Sequence, residues 1–210
     1  MCAIIGFDSP TLTEQEIRPY FDRTISRGPD MSRMEKAGRG MLGFHRLAIM
    51  GLHEEGMQPF HLGGDMAVCN GELYGFRPLK KELEAKGYTF ASESDCELIL
   101  PLYREYGVEM FAKLDAEFAM IIYDAKADRL VAARDPIGIR PLFYGYLADG
   151  GILFASEAKN LVGLCERIMP FPPGHYYADG KFVRYADLTT VTEYSKDDLD
   201  TVCKLSLIHI

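Results

Sequence analysis

The sequence predicts an α+β protein made of antiparallel sheets, with two sheets and two helical layers in one domain. Three observations predict it. Hairpin patterns dominate the second half: "EFAMIIYDAKADRLVAARD", "PLFYGYLADGGILFASE" and "GHYYADGKFVRY" each read as strand, tight turn, strand. The two clearest helical stretches lie together in the middle of the chain and do not alternate with strands, which argues against a parallel wound sheet. The 210 residues are 48% hydrophobic and 26% charged, enough apolar surface for a real core.

Each element follows in order. "CAIIGF" is apolar and β-branched and reads as a buried strand. "TEQEIRPYFDRTIS" reads as a helix weakened by Pro19, and "RGPD" as a turn. "GMLGFHRLAIM" is a strand pair or one long strand. "MAVCNGELYG" reads as a hairpin, since Asn-Gly is a strong tight-turn signal. "FRPLKKELEAKG" is a helix with Pro78 in its first turn and Gly87 at its C-terminal cap. "SDCELILPLYREYG" is another, with Ser94 and Glu97 in a capping-box pattern and a bend expected at Pro101. The three hairpins come next. After about Tyr185 the chain turns polar, and residues 186–204 read as the start of a linker. "LSLIHI" (205–210) resembles the translation of a common sequencing-library adapter, which makes it a candidate cloning or sequencing artefact.

Bulk properties exclude several functions. The formal net charge is −8 and no basic run exceeds "KK" at 80–81, so nucleic acid is not an expected partner. No apolar run reaches membrane-spanning length. The apolar start is too short for a signal peptide, so a cytoplasmic protein is expected. Cys2, Cys69, Cys96, Cys165 and Cys203 are widely spaced and form no metal or disulfide pattern; Cys69, Cys96 and Cys165 read as small buried hydrophobes.

Cys2 is different. If Met1 is removed, Cys2 carries a free α-amine with a reference pKa of about 7.7–8.0, against about 10.4 for lysine. That amine is a base poised near neutral pH, attached to the residue whose thiol it must deprotonate.

Companions to Cys2 occur in a set order: "RGPD" (27–30), "HRLAIMG" (45–51), "QPF" (58–60), "NGELY" (70–74), "SDCE" (94–97), "RDPIGIRPLFYG" (134–145) and "FPPGH" (171–175). Together they resemble the amino-terminal glutaminase domain of glutamine-hydrolysing asparagine synthetases, a class II glutamine amidotransferase over residues 1–185. The resemblance implies a four-layer αββα sandwich of the Ntn-hydrolase type. It implies Cys2 as the attacking thiol on glutamine, with Asn70 and the Gly71 N–H as oxyanion donors. It implies a substrate pocket formed by Arg46, Leu47, Ile49, Met50, Asn70, Gly71, Glu72 and Asp95, with Arg46 on the α-carboxylate and Asp95 on the α-ammonium. His45 reads as structural, because the amine already supplies a base. "RDPIGIRPLFYG" reads as a framework turn without a chemical role.

The sequence also departs from the family pattern. Ser26 replaces a histidine, Ala3 a glycine, Gly51 an aspartate and Gly75 an asparagine, and "DAEFAM" stands for a more usual strand. No "SGGxDS" pyrophosphate loop occurs, so the synthetase domain is absent from these residues and is expected downstream or on another chain. No cofactor or metal is expected in this domain; ATP and Mg belong to the synthetase half. Glutamine, an ammonia-accepting synthetase domain and a second copy in a homodimer are the expected partners. Two alternatives stay open: a glutaminase serving another acceptor, and a noncatalytic glutamine-sensing domain.

Overall fold

The computed structural model describes residues 1–49, 53–190 and 196–207. Its strands are β1 (Ala3–Asp8), β2 (Met31–Ala37), β3 (Gly40–Arg46), β4 (Phe60–Leu62), β5 (Asp65–Leu73), β6 (Ala116–Asp124), β7 (Arg129–Arg134), β8 (Phe143–Tyr146), β9 (Ile152–Ala155), β10 (Ile168–Pro170), β11 (His175–Ala178) and β12 (Lys181–Arg184). They form two six-stranded antiparallel sheets, ordered β10-β8-β9-β1-β3-β2 and β12-β11-β7-β6-β5-β4.

Strand alternation builds the layers. Ile4, Leu42 and Phe44 of the first sheet meet Val68, Ala119 and Ile121 of the second in a core between the sheets. Ile5 and Phe7 face outward and are covered by Ile17 and Phe21 of α1 (Glu14–Phe21). Phe118, Met120 and Ile122 face the opposite way. They are covered by Leu83 of α2 (Phe76–Ala85) and by Ile99, Leu100 and Leu102 of α3 (Ile99–Tyr106). The result is the expected αββα sandwich. Burial on both faces explains why "FAMII" is apolar without alternation. Gly6 leaves room for the facing sheet, since a Cβ there would lie 3.0 Å from Ile121 of the second sheet and 2.8 Å from Leu42, its neighbour on β3.

Local signals set most boundaries. Thr13 and Glu16 close a capping box on α1, and a 3₁₀ turn (Asp22–Arg27) completes the predicted stretch. Pro78 lies in the first turn of α2, and Gly87, at φ +97°, follows its C-cap. Asp179 and Gly180 take positive φ in the β11–β12 turn.

Four expectations need correction. "MAVCNGELYG" is no hairpin: Asn70 and Gly71 lie inside one unbroken strand, paired with Ala119 and Phe118. Burial between neighbouring strands overrides the local turn preference. The helix expected from Ser94 starts as a 3₁₀ turn (Asp95–Leu98), and Pro101 falls in the first turn of α3, where its missing N–H costs nothing. The Ser94–Glu97 capping box does not form; the Glu97 carboxylate instead accepts from Ala91 N, Ser92 N and Ser92 Oγ. In the polar tail, α4 (Leu199–Leu207) is helical, with the Asp198 carboxylate accepting from Thr201 N at 2.8 Å. Strands β2, β4 and β10 were not anticipated. All three are edge strands: β4 and β10 have three residues each, too few for an alternating pattern, and β2 carries Arg33, Glu35 and Lys36.

Candidate active site

Antiparallel register sets the site. Ala3 pairs with His45, so Cys2, one residue before β1, lies beside the end of β3. Leu47 N–H points at the Cys2 sulfur at 3.4 Å, and the thiol lies 3.6 Å from Leu47 O. Residues around Cys2 are pinned from several sides. Arg27 Nε donates to Cys2 O at 3.1 Å, and the same guanidinium pairs with Glu157 at 3.0 Å. Ile4 N–H donates to Ser156 Oγ at 2.9 Å.

Cys2 opens onto a cavity of about 670 Å³, part of it open to solvent. Arg46, Leu47, Ile49, Asn70, Gly71, Glu72 and Asp95 line the same cavity. The structure thus gathers every sequence-predicted site residue within the described part; Met50, like Gly51, lies outside the described residues. Arg46 is 3% exposed, and its Nη1 donates to His53 O at 2.8 Å. Asp95 is buried and accepts the Leu73 N–H through Oδ2 at 2.6 Å. Glu72 and Ile49 are exposed at the rim.

Two features equip the cavity for an anion. Asn70 is buried, and its Nδ2 has no hydrogen-bond partner among the described residues. Gly71 N–H comes from the open edge of β5. Cys69 and Leu73, two residues to either side, both turn their N–H groups away from β6, to Gln58 and Asp95. Gly71 shares that orientation by strand alternation. Glycine is required there, since a Cβ would stand 2.5 Å from Glu117 O.

Burial pushes the Cys2 thiol above its ordinary pKa, and the Leu47 N–H and the chain's amino terminus pull only partly against it. The surroundings therefore do not ionise this thiol unaided. His45 does not help. It lies on the far face of β3, its ring stacked 3.6 Å from Phe21 and bonded to Ser32 Oγ at 2.5 Å. Burial lowers its pKa. Among the described residues no cluster of His, Cys, Asp and Glu could hold a metal.

Residues without an assigned role in the sequence reading also belong here. Arg27, Ser156 and Glu157 hold the start of β1. Gln58, Cys69, Cys96 and Arg140 line the cavity. Arg27 and Gln58 lay inside quoted motifs ("RGPD", "QPF"), but nothing local told what they would touch. Gly28 of "RGPD" packs on the backbone of His45, where a Cβ would fall 2.2 Å from the carbonyl oxygen.

The fold and site together define an antiparallel αββα sandwich with a thiol beside the head of a central strand. Two solved structures share the fold: an allosteric regulatory enzyme of purine biosynthesis (TM-score 0.75, 21% identity, 88% of this chain and 49% of that one) and the glutamine phosphoribosylpyrophosphate amidotransferase of B. subtilis (TM-score 0.69, 20% identity, 88% and 49%). The family model described as the glutamine amidotransferase domain matches residues 1–177, and the chain belongs to that family. A probable glutamine-hydrolyzing asparagine synthetase of Dictyostelium discoideum is 44% identical over 195 residues, 88% of this chain and 35% of the relative. The chain spans about a third of the length of the curated relatives it matches. No helix among the described residues is long and apolar enough to cross a membrane.

Proposed function

We propose that the chain is the glutamine-hydrolysing part of an asparagine synthetase, acting in the cytoplasm and passing ammonia to a synthetase domain outside these residues. The unpartnered Asn70 Nδ2, buried in the cavity that holds Cys2, carries this reading. A buried donor without an acceptor is costly in the resting protein unless a ligand oxygen uses it.

Met1 is 53% exposed at the cavity, and its removal frees the Cys2 α-amine. The neutral amine takes the thiol proton, and the sulfur attacks the side-chain amide carbon of glutamine. Asn70 Nδ2 and Gly71 N–H receive the oxyanion. The new ammonium group returns its proton to the leaving nitrogen, ammonia departs, and a glutamyl thioester remains. Water then cleaves the thioester, releasing glutamate and restoring the thiol. Arg46 and Asp95 select glutamine by its α-carboxylate and α-ammonium, a guanidinium fork and a carboxylate being suited to those charges. Arg27 holds the Cys2 carbonyl and so aims the residue. Hydrolysis needs no metal or cofactor in this scheme; ATP and Mg would serve the synthetase half. Residues 1–185 form the glutaminase unit, and residues 186–204 begin the connection onward. Pairing with a second copy is part of the proposal, and nucleic acid is not.

The test is direct. Cys2→Ala abolishes ammonia release while glutamine still binds by calorimetry, and Cys2→Ser is far slower than the thiol enzyme. Ammonia release at the wild-type rate from Cys2→Ala refutes the mechanism.

A further inference from the structure

Three N–H groups on one edge of β5, those of Cys69, Gly71 and Leu73, share an orientation away from β6. The outer two are held by side chains. Gln58 Oε1 accepts from Cys69 N–H at 2.6 Å, and Gln58 Nε2 donates to Cys69 O at 3.1 Å. Asp95 Oδ2 accepts from Leu73 N–H at 2.6 Å. Between them stands Gly71.

The partner strand stops short of this segment. β4 pairs with β5 only as far as Phe60 opposite Ala67. The next residue, Pro59, has no N–H to give. Continuing the register places Gln58 opposite Cys69, and there its carboxamide replaces the missing backbone partner, offering one acceptor and one donor. Both residues are buried, Gln58 at 4% exposure and Cys69 at 2%, so an unpaired Cys69 N–H or carbonyl would have no water to turn to.

We infer that Gln58 is a positioning residue for the oxyanion site: its carboxamide clamps β5 at Cys69, Asp95 clamps it at Leu73, and the two together fix the aim of Gly71 N–H. The inference rests on the glutaminase reading above. The clamp ends the sheet edge two residues before the donor, so no strand captures the Gly71 N–H. A donor placed this way is oriented before charge develops and needs no reorganisation during reaction. An apolar side chain at 58 would fill the space and leave the strand free to shift.

The test compares the full-length chain carrying Gln58→Met or Gln58→Glu with the wild type. It measures kcat and KM for glutamine, and affinity for the aldehyde analogue of glutamine, whose adduct with the Cys2 thiol presents a tetrahedral oxygen to the site. Glutamine affinity in the Cys2→Ala background reports the ground state. Gln58→Met is expected to lower kcat and aldehyde affinity together by roughly 10²-fold, the scale of a small misplacement of a catalytic group. KM and glutamine affinity stay within about twofold, as for an interaction made only in the transition state. Gln58→Glu keeps the acceptor and loses the donor, and its loss is smaller; it also serves if the methionine variant is too unstable to purify. An unchanged kcat, or equal losses of glutamine and aldehyde affinity, overturns the inference while leaving Cys2 chemistry intact. A wild-type chain without Cys2-dependent hydrolysis overturns the glutaminase reading instead, and this one with it.

Discussion

Asn70 spends its buried Nδ2 on nothing within the described protein, and this sets an unusual expectation. Asn70→Leu removes an oxyanion donor and should lower kcat about 10²- to 10³-fold, by analogy with single-donor losses elsewhere. The same change removes an unsatisfied polar group, so the thermal midpoint should hold or rise. Steady-state kinetics and a melting curve on one preparation check both halves; a fall in stability with full activity would point to a structural asparagine. At this scale the sequence was informative. Cys2 stands out by its place behind Met1, and the resemblance carried by the ordered motifs implies the roles of Arg46 and Asp95. Arg27 and Gln58 were not assigned, because their partners are 25 and 11 residues away, and no local pattern encodes a side chain bonding to a distant backbone atom.

Among the elements, the loop between β7 and β8 shows how one carboxylate can organise a turn. Asp135 is 1% exposed and accepts from the N–H groups of Ile137, Gly138, Ile139 and Arg140 at 2.6–3.1 Å. Arg134 braces the same loop through Gly138 O, Arg140 O and Phe171 O. Asp135→Ala strips the acceptors from all four, and unfolding should cost about 2–4 kcal/mol less, solvent recovering part of the loss at this exposed tip. A chemical-denaturation midpoint indistinguishable from wild type would contradict this. The framework role read from "RDPIGIRPLFYG" thus has a physical basis.

α1 is tied to β3 through the His45–Phe21 stack, and this contact carries a pH signature. Burial lowers the His45 pKa in the folded state from its ordinary 6.5. Between the two values the unfolded chain binds the extra proton, so stability rises with pH through that window. The stabilisation is complete above about pH 6.5 and is lost as pH falls through the folded value. His45→Phe, which keeps a ring against Phe21, should flatten that limb of the stability curve. A wild-type curve already flat from pH 7 to about 5 would argue against it.

For the molecule as a whole, the packing of the two sheets brings Cys2 beside β5, next to the edge strand of the second sheet. β1 lies inside its sheet between β3 and β9, and the site forms where its head meets the open edge of β5. The proposed chemistry there depends on removal of Met1. Intact mass of active protein should show a chain shorter by one methionine, beginning at Cys2. Retained Met1 leaves the Cys2 nitrogen acylated and unable to accept a proton: an inactive chain in that form favours the glutamine-sensing alternative, whereas full activity in that form refutes the amine as the base.

The sequence by itself determined the layer count, the second-half hairpins, α2 with its caps, and the place of the candidate thiol in the chain. All are carried by periodicity, turn chemistry or residue type within a few neighbours. Only the tertiary structure decided that Asn70-Gly71 is strand rather than turn, that His45 faces away from the cavity, and that Gln58 completes the edge beside Cys69. Each depends on which surface packs against a segment distant in sequence, and burial energies there exceed the fractions of a kcal/mol by which local propensities differ.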